Sequence, residues 1–172
     1  SLNRSIIIEP ITEKFKSDLN LDSYRIGKGD QLFVTIWGLP EIFPVTGGVN
    51  SELNTRRVDS NGNIFFPFVG LILAEGKTQD ELREDLTIEL SKMFKNIQLD
   101  VSIVNFNSQK VYILGEVTSP KTINLTDTPL SLANAIGESK GLNTSTSEGE
   151  DVFVVRQIPS QDPQIFRADL SS

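Results

Sequence analysis

Thr78-Gln79-Asp80-Glu81-Leu82-Arg83-Glu84-Asp85-Leu86-Thr87-Ile88-Glu89-Leu90-Ser91-Lys92-Met93-Phe94-Lys95, followed by Asn96-Ile97-Gln98-Leu99-Asp100-Val101-Ser102-Ile103, sets a helical pattern directly against a strand pattern. Leu82, Leu86, Leu90 and Met93 recur at helical spacing and form one apolar stripe. Thr78 and Glu81 stand where each side chain can satisfy an orphan backbone donor at the helix start. Asp80, Glu81, Glu84 and Asp85 fill the first turns while Lys92 and Lys95 sit in the last, which suits the helix dipole. The spacing predicts a helix over 79–95 with Asn96 as its stop. Ile97, Leu99, Val101 and Ile103 then alternate with polar residues, the period of a half-buried strand. The alternation changes phase at Val104 and Phe106, which predicts a bulge or the strand's end.

Upstream, Gln31 to Trp37 is β-branched and aromatic, with Leu32, Val34 and Ile36 on one face and Phe33 and Trp37 on the other. Regular structure starts at Tyr24-Arg25-Ile26 and turns at Gly27-Lys28-Gly29-Asp30; residues 1–23 read as a lead-in arm with room for one short helix. Residues 38–54 contain Gly38, Pro40, Pro44, Gly47 and Gly48 and read as a long loop. Arg56-Arg57-Val58 and Ile64-Phe65-Phe66 flank Asp59-Ser60-Asn61-Gly62, whose Asn-Gly suits a tight turn, so a hairpin is expected. Pro67 cannot donate to a ladder, which places Phe66 to Val69 off the sheet or on its edge, before a short strand over Gly70 to Leu73.

Downstream, Asn105 to Gln109 is a polar break that marks a domain boundary. Lys110 to Val117 reads as a strand, and Thr122-Ile123-Asn124-Leu125 pairs back on it. Thr128 caps a helix with Pro129 at its first position, and Gly141 ends it after Lys140. Residues 143–151 are a polar loop, and Val152 to Arg156 with Ile165 to Ala168 form a final strand pair. Strands, one helix and strands, twice over, describe an α+β chain of two small domains, each strand-rich with one helix.

Composition narrows the chemistry. The 172 residues hold 16 Lys and Arg against 23 Asp and Glu, a net charge of −7, whereas nucleic-acid binding needs a clustered basic excess. There is no His and no Cys. The usual general base, thiol nucleophiles, disulfides and His- or Cys-ligated metal sites are therefore excluded from this stretch. The most apolar run, Ile64 to Ala74, contains Pro67 and Gly70 and is far short of the about 20 residues that span a bilayer. The opening Ser1-Leu2-Asn3-Arg4 and the short Ile6-Ile7-Ile8 carry no signal-peptide core, so the chain is expected to be a piece of something longer.

Each motif that might carry a reaction has a simpler explanation. Gly76-Lys77-Thr78 lacks the earlier glycine of a phosphate loop, since Leu71 stands there, and Thr78 serves as a helix cap. Gly27-Lys28-Gly29-Asp30 has Leu32 at the third glycine of a dinucleotide fingerprint and leads into a strand, so it is a turn. Asp59-Ser60-Asn61-Gly62-Asn63 lacks the last acidic ligand of a calcium loop and reads as a hairpin turn. Glu148, Glu150 and Asp151 sit in a polar context that would not raise a carboxyl pKa, and Ser131 and Lys140 lack dyad spacing. Tyr112, Trp37 and Phe43 could stack on sugar rings, with Trp37 equally suited to a core. No catalytic, cofactor-binding or metal-binding residue is assigned, and no residue is assigned to ligand contact.

Three blocks, in this order and spacing, resemble the Wza-type outer-membrane polysaccharide export family. They are Tyr24 to Leu32 running to Trp37 with Pro40-Glu41; Val58 to Gly70 with Gly76-Lys77-Thr78 and Gln98 to Val101; and Ser108 to Val117 with Pro129-Leu130 and Gly141-Leu142. The resemblance implies a polysaccharide-export domain over 24–107 and a β-grasp domain of the soluble-ligand-binding type over 108–172, truncated before the strand that usually closes it. It further implies a periplasmic ring, commonly octameric, that conducts capsule or exopolysaccharide and meets an inner-membrane co-polymerase. The full-length protein would be a lipoprotein of the outer membrane and this piece soluble, without enzymatic activity, cofactor or nucleic-acid partner. A net negative chain suits a conduit that must hold an often anionic polymer weakly. The loops 38–54 and 143–151 are the candidates for subunit or partner contact. The competing expectations are a periplasmic carbohydrate- or partner-binding module with no conduit role, and a glycan-cleaving enzyme, which would need two acids about 5–10 Å apart in a cleft.

Overall fold

The computed structural model describes residues 8–10, 23–44, 55–115, 121–131, 134–135, 151–159 and 161–169. The fold is α+β, with two compact units: Ser23–Ser108, and a second assembled from Ser1–Asp22 and Gln109–Ser172. The expected arm is thus more than a lead-in. Strand β1 (Ile8–Pro10) is part of the second unit's sheet; the short helix considered there lies outside the described residues.

Within Ser23–Ser108, β2 (Gln31–Trp37) is the centre of an antiparallel sheet in the order β3-β2-β6, with β3 at Thr55–Arg57 and β6 at Gln98–Asn105. The phase change in β6 is a bulge. Gln31 faces Asn105 while Leu32 faces Ile103, so Val104 is the extra residue. The turn at Asp59 to Gly62 forms, yet it does not join a hairpin. β3 pairs with β2, and β4 (Asn63–Phe66) pairs with β5 (Gly70–Leu73), because the Asn63-Ile64-Phe65-Phe66 run finds a register-matched apolar partner only four residues on. Pro67 lies, as expected, outside the ladders, in the link from β4 to β5.

Helix α1 spans Gln79–Ser91, and its capping box is formed in both directions: Glu81 N–H donates to Thr78 Oγ1 at 3.2 Å and Thr78 N–H to Glu81 Oε2 at 3.0 Å. Leu82, Leu86 and Leu90 are fully buried against Leu32, Ile64, Val101 and their neighbours. The helix stops earlier than the stripe suggested. Lys92 is the C-cap and pairs with Glu89, Met93 lies past the end and is exposed, and no basic residue occupies the last turn. Asn96 adopts a left-handed backbone (φ 56°) in the turn into β6.

The second unit is one five-stranded sheet in the order β1-β10-β9-β7-β8, with β7 at Lys110–Gly115, β8 at Lys121–Asn124, β9 at Asp151–Gln157 and β10 at Gln164–Asp169. The pairs β7–β8 and β9–β10 are those expected, whereas β1 joins β10 in parallel. Val111, Ile113, Val152, Val154 and Phe166 form the core with Leu125 and Ala135. The downstream helix begins later than Pro129: Ser131 Oγ accepts from Asn134 N–H at 3.1 Å and Ser131 O from Ala135 N–H at 3.0 Å. Ser131, not Thr128, is the cap. The helix beyond Ala135, the loop residues 45–54 and 143–150, and Glu116-Val117 lie outside the described residues.

Candidate functional site

Asp30 is fully buried in the Ser23–Ser108 unit, and among the described residues no basic side chain pairs with it. Its charge is held by donors alone. Oδ1 accepts the backbone N–H groups of Asn107 (2.7 Å) and Ser108 (2.9 Å). Oδ2 accepts Gly27 N–H, the Tyr24 hydroxyl and the Ser108 hydroxyl, each at 2.9 Å. The Gly27 to Asp30 turn supplies one donor, Tyr24 just before it a second, and Asn107 and Ser108, just past β6, the others. Buried acids need this kind of saturation, because an unmet charge in a dry site is very costly.

Tyr24 is the second member. Its hydroxyl also contacts Ser108 Oγ at 3.0 Å, and its ring meets Phe106 edge-on at 4.9 Å. Burial, reinforced by the Asp30 charge and outweighing the Ser108 hydrogen bond, raises the Tyr24 pKa well above that of a free phenol. The group stays a neutral donor. In the unfolded chain a tyrosine ionises near about 10. The folded value being higher, this stabilisation is complete below that pH and declines as the pH rises above it, since the unfolded chain releases its proton first. Tyr24→Phe should therefore destabilise the fold at neutral pH, with the gap to wild type closing above about pH 10. Urea unfolding of both proteins across that range checks it; a gap that does not change with pH would count against the assignment.

A different surface of the same unit is apolar and open. In the β4–β5 hairpin, Ile64 and Phe66 are buried, while Phe65, Leu71 and Leu73 point outward, Leu71 with 67% of its surface exposed. Beside them Ile88 of α1 is 61% exposed. A groove of about 320 Å³ runs between β5 and α1, lined by Leu71, Leu73 and Ile88 with Asp85 and Glu89. Both acids are tied within the unit, Asp85 to Lys77 and Glu89 to Lys92. At the hairpin tip Phe68 has φ 68°, a left-handed backbone that is strained for a bulky residue, and its ring packs on Phe43 and Phe94.

The motif residues take the simpler roles. Lys77 pairs with Asp85 and Thr78 caps α1. Asp59 Oδ1 accepts from Asn61 and Asn63 N–H groups at 2.8 and 2.9 Å, which closes the turn. Trp37 is exposed at the end of β2, Phe43 is in the aromatic cluster with Phe66, and Tyr112 is half-buried in β7. Glu148 and Glu150 lie outside the described residues. Among the described residues no group of His, Cys, Asp or Glu could hold a metal, and no helix is long and apolar enough to cross a membrane. Neither the Asp30 node nor the apolar face was singled out from the sequence. The run Ile64 to Leu73 is apolar on both strand faces, and that lack of alternation was its only signal.

Two family models match in tandem: polysaccharide biosynthesis/export protein over residues 19–104 and SLBB domain over residues 109–172. Among curated relatives, the EPS I polysaccharide export outer membrane protein EpsA of Ralstonia solanacearum is 32% identical over 146 residues, covering 77% of this chain and 39% of the relative. The capsule polysaccharide export protein BexD of Haemophilus influenzae is 31% identical over 67% of this chain and 32% of its own length. The polysialic acid transport protein KpsD of Escherichia coli is 27% identical over 77% of this chain and 22% of its own length. The chain thus spans about two fifths or less of these relatives. With both domain models in register with its two units, it belongs to the Wza-type polysaccharide export protein family.

Proposed function

We propose that the protein is the periplasmic portion of an outer-membrane exporter of capsule or exopolysaccharide, and that copies of it form part of a ring-shaped conduit. The observation that carries this reading is the tandem match of an export model and an SLBB model along one chain whose relatives are named for polysaccharide export. In this reading residues 24–107 are the export domain, 108–172 the β-grasp domain, and an inner-membrane co-polymerase is the partner that delivers polymer. The chain's own chemistry is passive. Among the described residues the one fully buried carboxylate, Asp30, is saturated by donors, and the two acids that line the open groove are paired within the unit. A wall of this kind has little grip on a charged polymer, which favours transit over retention.

Deleting the gene should abolish surface polysaccharide while polymer accumulates inside the cell envelope, and the full-length gene should restore it. Unchanged surface polymer in the deletion strain would overturn the export role. Negative-stain images of the full-length protein should show closed rings; persistent monomers would instead favour a binding module without a conduit.

A further inference from the structure

We propose that Trp37, at the end of β2, is a stacking platform for one pyranose ring of a glycan chain, with Gln98, Asp100 and Thr35 as its hydrogen-bonding rim. The proposal rests on the export reading above and names the point at which this chain touches the polymer.

The sheet register builds the site. In the β2–β6 ladder Trp37 faces Gln98 and Thr35 faces Asp100, and residues directly opposite in an antiparallel pair point to one side. The intervening pair, Ile36 and Leu99, points the other way and belongs to the buried core. Trp37 therefore stands on the face opposite that core. It is 54% exposed, although tryptophan is highly buried on average. Gly38 follows with φ 88° and nothing within 4 Å of where a Cβ would stand, so the space beside the strand end is open.

The chemistry around the ring identifies the occupant. A pyranose presents a face of C–H groups and a rim of hydroxyls, so it needs a flat apolar surface bordered by donors and acceptors. Across the ladder Gln98 stands roughly 5 Å from Trp37, and Thr35 about 7 Å along the strand, the reach of a sugar's rim hydroxyls. Gln98 is exposed, and its amide both donates and accepts. Arg83 approaches Asp100 Oδ1 at 3.6 Å, and among the described residues no side chain bonds Asp100 Oδ2, which is left to accept from a ligand hydroxyl. Arg83 also pairs with Asp80 at 3.0 Å, so a basic peptide finds a guanidinium already in its place. A protein anchor of tryptophan type sits amid further apolar surface, whereas the ladder surrounds Trp37 with an amide, a hydroxyl and a carboxylate. One ring with such a rim holds a sugar weakly, which suits a chain that must let polymer pass.

The test titrates the full-length protein with surface polysaccharide from the producing strain, cut by mild acid to short oligomers. Saturation-transfer NMR on the oligomers should show saturable, millimolar binding by wild type. Trp37→Ala should bind about tenfold more weakly, and Gln98→Ala about threefold more weakly. Trp37→Tyr, which keeps an aromatic face, should retain most of the affinity, and the circular-dichroism spectra of all three variants should match wild type. If Trp37→Ala fails to fold, Trp37→Gln should show the same loss in a folded protein. Wild-type affinity in the folded variant, or no saturable binding by wild type, overturns the site; the deletion phenotype above then still judges the export role by itself. A Trp37→Ala protein that sediments as a smaller species than wild type would show a contact between copies and would also overturn the site.

Discussion

Asp30→Asn should lower the unfolding free energy of the Ser23–Ser108 unit by roughly 3 kcal/mol. The substitution keeps shape and removes charge, so the loss reports on donors rather than on volume. An amide has one oxygen and one NH₂ group where the carboxylate has two acceptors. Turned one way, its NH₂ faces the N–H groups of Asn107 and Ser108; turned the other, it faces the N–H of Gly27. The hydroxyls of Tyr24 and Ser108 can rotate to accept, but a backbone N–H cannot. Each orientation leaves at least one buried donor orphaned, at about 1–3 kcal/mol, and weakens the others by removing charge assistance. Asp30→Ala should be worse. Trp37, the sole tryptophan, lies in this unit, so urea unfolding followed by its fluorescence and by circular dichroism reads the effect. A loss below about 0.5 kcal/mol, the scale of an ordinary surface change, would refute the node.

Gly62→Ala should cost about as much, for a reason that is steric. Gly62 has φ 82°, which for an L-residue with a Cβ costs roughly 1–2 kcal/mol. The added Cβ would stand 2.7 Å from Glu75 Cβ and 2.3 Å from Glu75 Oε2. The carboxylate end can swing away, but the Cβ cannot move without its backbone. That backbone is pinned to the same glycine, because Gly62 O accepts from Ala74 N–H at 2.9 Å and Glu75 N–H at 3.0 Å. Overpacking adds about 1–3 kcal/mol, so a total near 3 kcal/mol is expected. Gly38→Ala is the matched control, with φ 88° and nothing within 4 Å of its would-be Cβ, and should show the backbone part alone. Equal losses at the two positions in denaturant titrations would show that the Glu75 contact is harmless.

What could be read from the sequence was what neighbouring residues decide. The Thr78–Glu81 box is local in sequence, and it formed as read. The bulge at Val104 was visible because alternation is strict on either side of it. The Asp59 to Gly62 turn was visible too, and so were its flanking strands, but not their partners, because β3 is held by β2 from across the sheet and β4 by β5. Met93 was misplaced because a stripe shows where a helix could continue and not where the chain leaves it. Asp30 was unreadable for a plainer reason: its donors at Asn107 and Ser108 are 77 and 78 residues away. A buried acid and a solvated one look alike in a sequence until the distant partner is known.

The parallel pairing of β1 with β10 fixes an order of events during synthesis. Ile8–Pro10 is translated long before its partner Gln164–Asp169, so β1 must wait unpaired while everything between them is made. Closing so long a stretch at random would be entropically expensive. The contact of Tyr24 with Ser108 brings the two ends of the intervening unit to one point, 3.0 Å apart, once that unit has folded. A prefolded insert therefore acts as a short splice, and the waiting strand behaves like a near neighbour of the segment that follows Gln109 rather than a distant relation.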